Sequence, residues 1–194
     1  MEATFNVNLP NALTYSHTLL QECVYDGATV VDATVGNGHD TLFLAQLVGP
    51  SGQVIGFDVQ ETALAHTQTQ LTLTGLGARV ALHHTGHEHV ARYLPTDKPL
   101  AAAIFNLGYL PGGDKSQITR AATTLTAVKA LLPRLIKGGR VILVVYAGHP
   151  GGQQEAQAVH DFCAALPQQT YQVLQYGFIN QIHHPPYLLA IERR

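Results

Sequence analysis

Short apolar, β-branched runs alternate with longer stretches in which apolar residues recur every three or four positions, and Gly or Pro punctuates the joints. The short runs predict strands over 29–34, 53–58, 79–84, 101–106, 140–146, 171–176 and 186–192. The longer pattern predicts helices over 12–24, 38–48, 60–75, 87–94, 116–137 and 151–165. Repetition of strand, helix, strand requires right-handed crossovers, and therefore a mostly parallel sheet with helices on both faces. The end of the chain breaks this rhythm. Runs 171–176 and 186–192 are joined without a helical pattern, so they are expected to pair as a hairpin that makes one strand antiparallel. No internal repeat, low-complexity tract or linker interrupts the series. A single domain over 1–194 is expected, with 1–27 packing on it as an N-terminal helical segment.

Ligands of such sheets lie beyond the carboxyl ends of the strands, which directs attention to loops 35–40, 58–60, 85–88, 106–115 and 147–152. The first is the most informative. Val30-Val31-Asp32-Ala33-Thr34-Val35-Gly36-Asn37-Gly38-His39-Asp40 is an apolar run closed by an acid, then a Gly-x-Gly turn opening a helix. Twenty residues after Gly38 a second acid, Asp58, closes the next apolar run, where a carboxylate can accept both hydroxyls of a ribose. The combination points to an adenosine-containing cofactor.

A dinucleotide fingerprint wants a third small residue where Thr41 stands, and Asp40 would compete with a pyrophosphate for the positive helix end. S-adenosylmethionine has no phosphate, and its cationic amino acid end favours acids such as Asp32 and Asp40. S-adenosylmethionine is therefore the expected cofactor, with a dinucleotide and a ligand-free glycine turn as the alternatives. Seven strands ending in a hairpin is also the arrangement of the Rossmann-like, class I S-adenosylmethionine-dependent methyltransferase fold. In that frame Asp32, Val35, Gly36, Asn37, Gly38, Asp40, Asp58 and Gln60 are assigned to the cofactor. His87 or Glu88, after the third strand, is assigned to its adenine.

Composition narrows the class. With 46% hydrophobic and 12% charged residues, the chain suits one compact core. No apolar run approaches the roughly 20 residues of a membrane span. The start, Met1-Glu2-Ala3-Thr4-Phe5, lacks a signal-peptide pattern, and Cys23 and Cys163 read as isolated reduced thiols, so a cytoplasmic address is expected. Net charge is −2 with His neutral, yet seven Lys/Arg face a single acid, Asp114, between Lys98 and Arg140. That segment is either a basic face for phosphates or a solvated surface.

His83-His84-Thr85-Gly86-His87-Glu88-His89 invites a zinc reading, but Ala91 stands where His-Glu-x-x-His needs its second His. No metal is expected. Asn106-Leu107-Gly108-Tyr109, after the fourth strand, resembles the Asp/Asn-Pro-Pro-Tyr/Phe loop of amino-group methyltransferases, with Leu107-Gly108 replacing the prolines. An Asn side chain can accept an amine's hydrogens and aim its lone pair at a methyl donor, while Tyr109 stacks on the target. Asn106 and Tyr109 are assigned as catalytic. Gly108, Asp114, Lys115 and His149 are assigned to the substrate. The competing reading is a glycine-turned loop without chemistry.

Several longer strings carry a wider resemblance. They are Ser16-His17-Thr18-Leu19-Leu20, Asp32 to Leu44, Asn106-Leu107-Gly108-Tyr109-Leu110-Pro111-Gly112-Gly113-Asp114-Lys115, Gly148-His149-Pro150-Gly151-Gly152 and Asn180 to Leu189. Together they resemble the YtqB-like rRNA methylase family, the MnmM group of tRNA 5-aminomethyl-2-thiouridine methyltransferases. Gly36-Asn37-Gly38-His39-Asp40 and the Asn106–Lys115 string are not shared by generic methyltransferases. The resemblance implies N-methylation, from S-adenosylmethionine, of the 5-aminomethyl group of (2-thio)uridine at the tRNA wobble position. It implies the anticodon stem-loop as partner and leaves room for a homodimer. Ribosomal RNA or a small-molecule amine is the alternative substrate, and a non-catalytic nucleotide-binding module the alternative outside enzymes.

Overall fold

The computed structural model describes residues 8–108, 118–148, 151–182 and 185–194. Its strands are β1 (Thr29–Asp32), β2 (Gln53–Asp58), β3 (Val80–His84), β4 (Leu100–Leu107), β5 (Leu135–Val145), β6 (Tyr171–Tyr176) and β7 (Tyr187–Arg193). The helices are α1 (Ala12–Cys23), α2 (His39–Leu47), α3 (Glu61–Leu73), α4 (Ala121–Leu131) and α5 (Gly152–Ala164). One sheet takes the strands in the order β3-β2-β1-β4-β5-β7-β6. The first five run parallel, and β7 is antiparallel to both β5 and β6. The hairpin expected at the end of the chain is present, with its second strand inserted between β5 and β6.

Alternation along the strands builds two cores. Val31, Phe57, Phe105 and Leu143 face α4 and α5, meeting Val128, Leu131 and Val159. Val30, Val54, Ile104 and Ile142 face the other way, onto Leu19 and Leu20 of α1, Leu44 of α2 and Leu71 of α3. Because both faces are covered, strands such as β1 are buried at every position. The strand order reverses between β1 and β4, and that switch point opens the crevice in which the site lies.

Two expected helices differ. The 87–94 pattern forms a 3₁₀ turn over His87–Arg92, too short to bury a helical stripe. The 116–137 pattern yields α4 and then a 3₁₀ turn over Leu132–Arg134, where Pro133 lacks the N–H a helix would need. Leu135 and Ile136, apolar and helix-compatible, belong to β5 instead. Leu135 pairs with Leu100, and the register slips before Arg140 pairs with Ala102. Gly138, at φ +77°, lies in that slip.

Candidate active site

The turn after β1 is built by its glycines. Gly36 and Gly38 have φ of +50° and +81°, and Gly38 N donates to Val35 O at 2.8 Å. A Cβ on Gly38 would lie 2.6 Å from Thr67 Oγ1, so α3 packs directly on the turn. Asp58 ties the turn to β2, accepting from Gly36 N at 2.7 Å and from Gln60 N at 2.8 Å, one bond per oxygen. Each oxygen keeps a lone pair, which is what two ribose hydroxyls require.

Around this turn lies a cavity of about 710 Å³, within the range of small-molecule sites. Val35, Gly36, Asn37, Asp40, Asp58, Gln60, His87, Glu88, Asn106 and Gly108 all reach its wall. The loops after β1, β2, β3 and β4 thus converge as the sequence led one to expect. Tyr109, Asp114, Lys115 and His149 lie outside the described residues. The two ends of the 109–117 segment are joined by a hydrogen bond from Thr119 N to Gly108 O. Glu155, buried in α5, accepts from Thr119 and Thr124 and fixes the return into α4.

Asp32 requires correction. It is fully buried and does not reach the wall; it accepts from Thr41 Oγ1 at 2.6 Å and Thr34 N at 3.1 Å. Burial, together with the neighbouring Asp40 charge, pushes its carboxyl up to about 7. It braces the turn from behind the cavity wall. Gly38 likewise shapes the wall from behind. Asp40 faces the cavity, but its oxygens are engaged by Asn106 Nδ2 and His17 Nε2, each at 2.6 Å.

His87 is held inward. Its Nδ1 donates to Ala33 O at 3.0 Å, and burial lowers its pKa, so the ring is neutral with a bare Nε2. That nitrogen is a buried side-chain atom without a partner among the described residues. It is an acceptor suited to an exocyclic amine such as adenine's. The neighbouring histidines diverge: His83 packs on Phe57 and Tyr93, and His84 Nε2 meets Val59 O. Among the described residues no three His, Cys, Asp or Glu side chains converge as a metal site would need. Burial pushes the Cys23 and Cys163 thiols up to about 11 and 12, which leaves neither as a nucleophile.

The expected basic face is not a unit. Arg140 turns to Glu22, Glu192 and Leu19 O, and Arg134 to the carbonyls of Pro95 and Lys98. Of the described members of that segment, Arg120 reaches the cavity. Residues the sequence reading did not assign also form the wall or its support. Leu13 of α1, Thr34 and Tyr146 line the cavity. His17 stands behind Asp40, and its place in the Ser16-His17-Thr18-Leu19-Leu20 string was the one signal available.

Strand order, glycine turn, ribose-type acid and Asn-bearing loop together define a Rossmann-like methyltransferase. The family model described as "Putative rRNA methylase" matches residues 54–192, and the chain belongs to this family. It is 35% identical over 187 residues to the chloroplastic tRNA (mnm(5)s(2)U34)-methyltransferase of Arabidopsis thaliana, covering 92% of this chain and 68% of that protein. A crystal structure from Clostridium thermocellum described as a "putative rRNA-methylase" superposes with a TM-score of 0.94 at 42% identity, covering 97% of this chain and 100% of that one. A Streptococcus mutans protein described as a "putative methyltransferase", solved in complex with SAH, gives 0.88 at 41% identity, over 96% of this chain and 100% of that one.

Proposed function

We propose that this protein transfers a methyl group from S-adenosylmethionine to the primary amine of 5-aminomethyl(-2-thio)uridine at the tRNA wobble position, giving the 5-methylaminomethyl form. One observation carries the reading. The Asn106 NH₂ donates to Asp40, and among the described residues its Oδ1 is left as an acceptor on the cavity wall. Asn106 Oδ1 takes hydrogens of the amine and turns the nitrogen lone pair toward the methyl group. Bound S-adenosylmethionine supplies that methyl on a sulfonium.

Asp58 holds the ribose, His87 Nε2 and Glu88 meet the adenine, and the Val35–Asn37 backbone and Gln60 close around the remainder. Tyr109 stacks on the base, with Gly108, Asp114, Lys115 and His149 as its further contacts. Catalysis is positioning plus exclusion of water, which disfavours the ammonium form of the amine. The Arabidopsis relative, named for this nucleoside, supports the choice of substrate. The anticodon stem-loop is the partner, the cytoplasm the location, and a homodimer fits the same scheme. Ribosomal RNA, from the family's description, is the second reading.

Asn106→Ala should leave cofactor affinity within about two-fold while lowering single-turnover methylation by roughly 100-fold or more. Full turnover in that variant would make the loop after β4 structural and end the reading.

A further inference from the structure

Asn106 is held by a side chain that is itself held from the far side. Asp40 Oδ2 accepts from Asn106 Nδ2, and Asp40 Oδ1 accepts from His17 Nε2, both at 2.6 Å. The three residues come from three elements: the end of β4, the first turn of α2 and the middle of α1. The His17 ring lies flat on Phe43, with centroids 3.9 Å apart and planes 8° apart, which aims Nε2 at the carboxylate. Asp40 is nearly enclosed, with 7% of its side chain exposed against 29% for His17.

The Asn106 backbone is fixed separately, its N–H donating to Thr34 Oγ1 at 2.8 Å. Only the orientation of its amide therefore depends on Asp40. A carboxylate gripped at one oxygen can swing about its Cβ–Cγ bond; gripped at both, it keeps one plane. Asp40, an acceptor-only group in any orientation, decides which end of the Asn106 amide faces it, and the second grip from His17 fixes the plane in which that amide is held.

We propose that His17 is a positioning residue for methyl transfer. Acting through Asp40, it fixes the plane of the carboxylate that holds the Asn106 amide, and with it the angle at which Oδ1 meets the substrate amine. This rests on the reading of Asn106 given above. It also gives α1 a role in the chemistry, since α1 supplies the hydrogen bond to the second oxygen of Asp40.

Three substitutions separate hydrogen bonding from packing. His17→Phe keeps a ring on Phe43 but has no donor, His17→Ala removes both, and His17→Gln restores an N–H at similar reach. With labelled S-adenosylmethionine and tRNA carrying 5-aminomethyluridine, His17→Phe and His17→Ala should turn over about 10- to 100-fold more slowly. KM and calorimetric cofactor affinity should stay within about two-fold, and His17→Gln should recover most of the rate. In an Asn106→Ala background, His17→Phe should cause no further loss, because the group it positions is gone. Full turnover by His17→Phe while Asn106→Ala is impaired would overturn this inference alone. So would an equal further loss in the double variant, or a loss matched by weaker cofactor binding. Full turnover by Asn106→Ala would overturn the amine-site reading itself, and this inference with it.

Discussion

Asp58 does two things with one carboxylate. It pins the glycine turn through Gly36 N and the start of α3 through Gln60 N, and among the described residues each oxygen keeps a lone pair, which the proposed function gives to a ribose. Asp58→Ala should weaken S-adenosylmethionine binding by about 2 kcal/mol or more, about 30-fold. Calorimetry returning the parent affinity would contradict this. Asp32 yields a prediction of opposite character. Its carboxyl is raised from the ordinary 3.8 to about 7, by burial first and the Asp40 charge second. Between those values the folded chain holds a proton that the unfolded chain has released. Asp32 therefore costs stability progressively as pH rises through that window and no further above it. Asp32→Asn cannot ionise, so the wild-type unfolding free energy minus that of the variant should fall steadily as pH rises from about 4 to about 7 and then level off. A difference that stays flat with pH in urea titrations would contradict it. Asp58 and Asn106 were legible in the sequence because each closes an apolar run that had to be a strand. His17 and Thr34 were not, because their partners lie 23 and 72 residues away in the chain. The acid at Asp32 was visible, but sequence cannot tell an acid on a cavity wall from one behind it.

At the scale of elements, the errors share a cause. The apolar residues after α4 suit a helix as well as a strand, and only pairing with Leu100 decides for β5. The 87–94 segment likewise shows a helical period, yet only His87 and Val90 of its 3₁₀ turn are buried, and His87 is bonded to Ala33 O across the site. Arg140 shows what a charge count conceals. Read as part of a basic stretch, it instead joins β5 to β7 through Glu192 and to α1 through Glu22 and Leu19 O. Arg140 is 17% exposed, but Glu22 and Glu192 are 53% and 35% exposed, so solvent screens both ion pairs and the buried part of the link is the bond to Leu19 O. Arg140→Met should lower unfolding free energy by about 1 kcal/mol, since two screened ion pairs and the bond to Leu19 O are lost together. Chemical denaturation would show it. An unchanged midpoint would mean that α1 is held by its apolar face alone.

For the whole molecule, the strand order and the two-sided burial of the sheet place four loops around one cavity. No helix among the described residues is long and apolar enough to cross a membrane. The chemistry proposed uses no metal, so activity should survive dialysis against a strong chelator; loss restored by zinc would revive the histidine cluster as a site. Because the attacking amine must be neutral, the rate should rise with pH through the bound amine's pKa and then level off. If phosphates are contacted, affinity should fall with added salt. The central claim is the nucleoside. Its most direct test supplies the purified protein and labelled S-adenosylmethionine with two otherwise identical tRNAs, one bearing 5-aminomethyluridine at the wobble position and one bearing uridine. The account expects label in the first alone, recovered after digestion as the 5-methylaminomethyl nucleoside. Equal labelling of both, or transfer to ribosomal RNA and to neither tRNA, would contradict it.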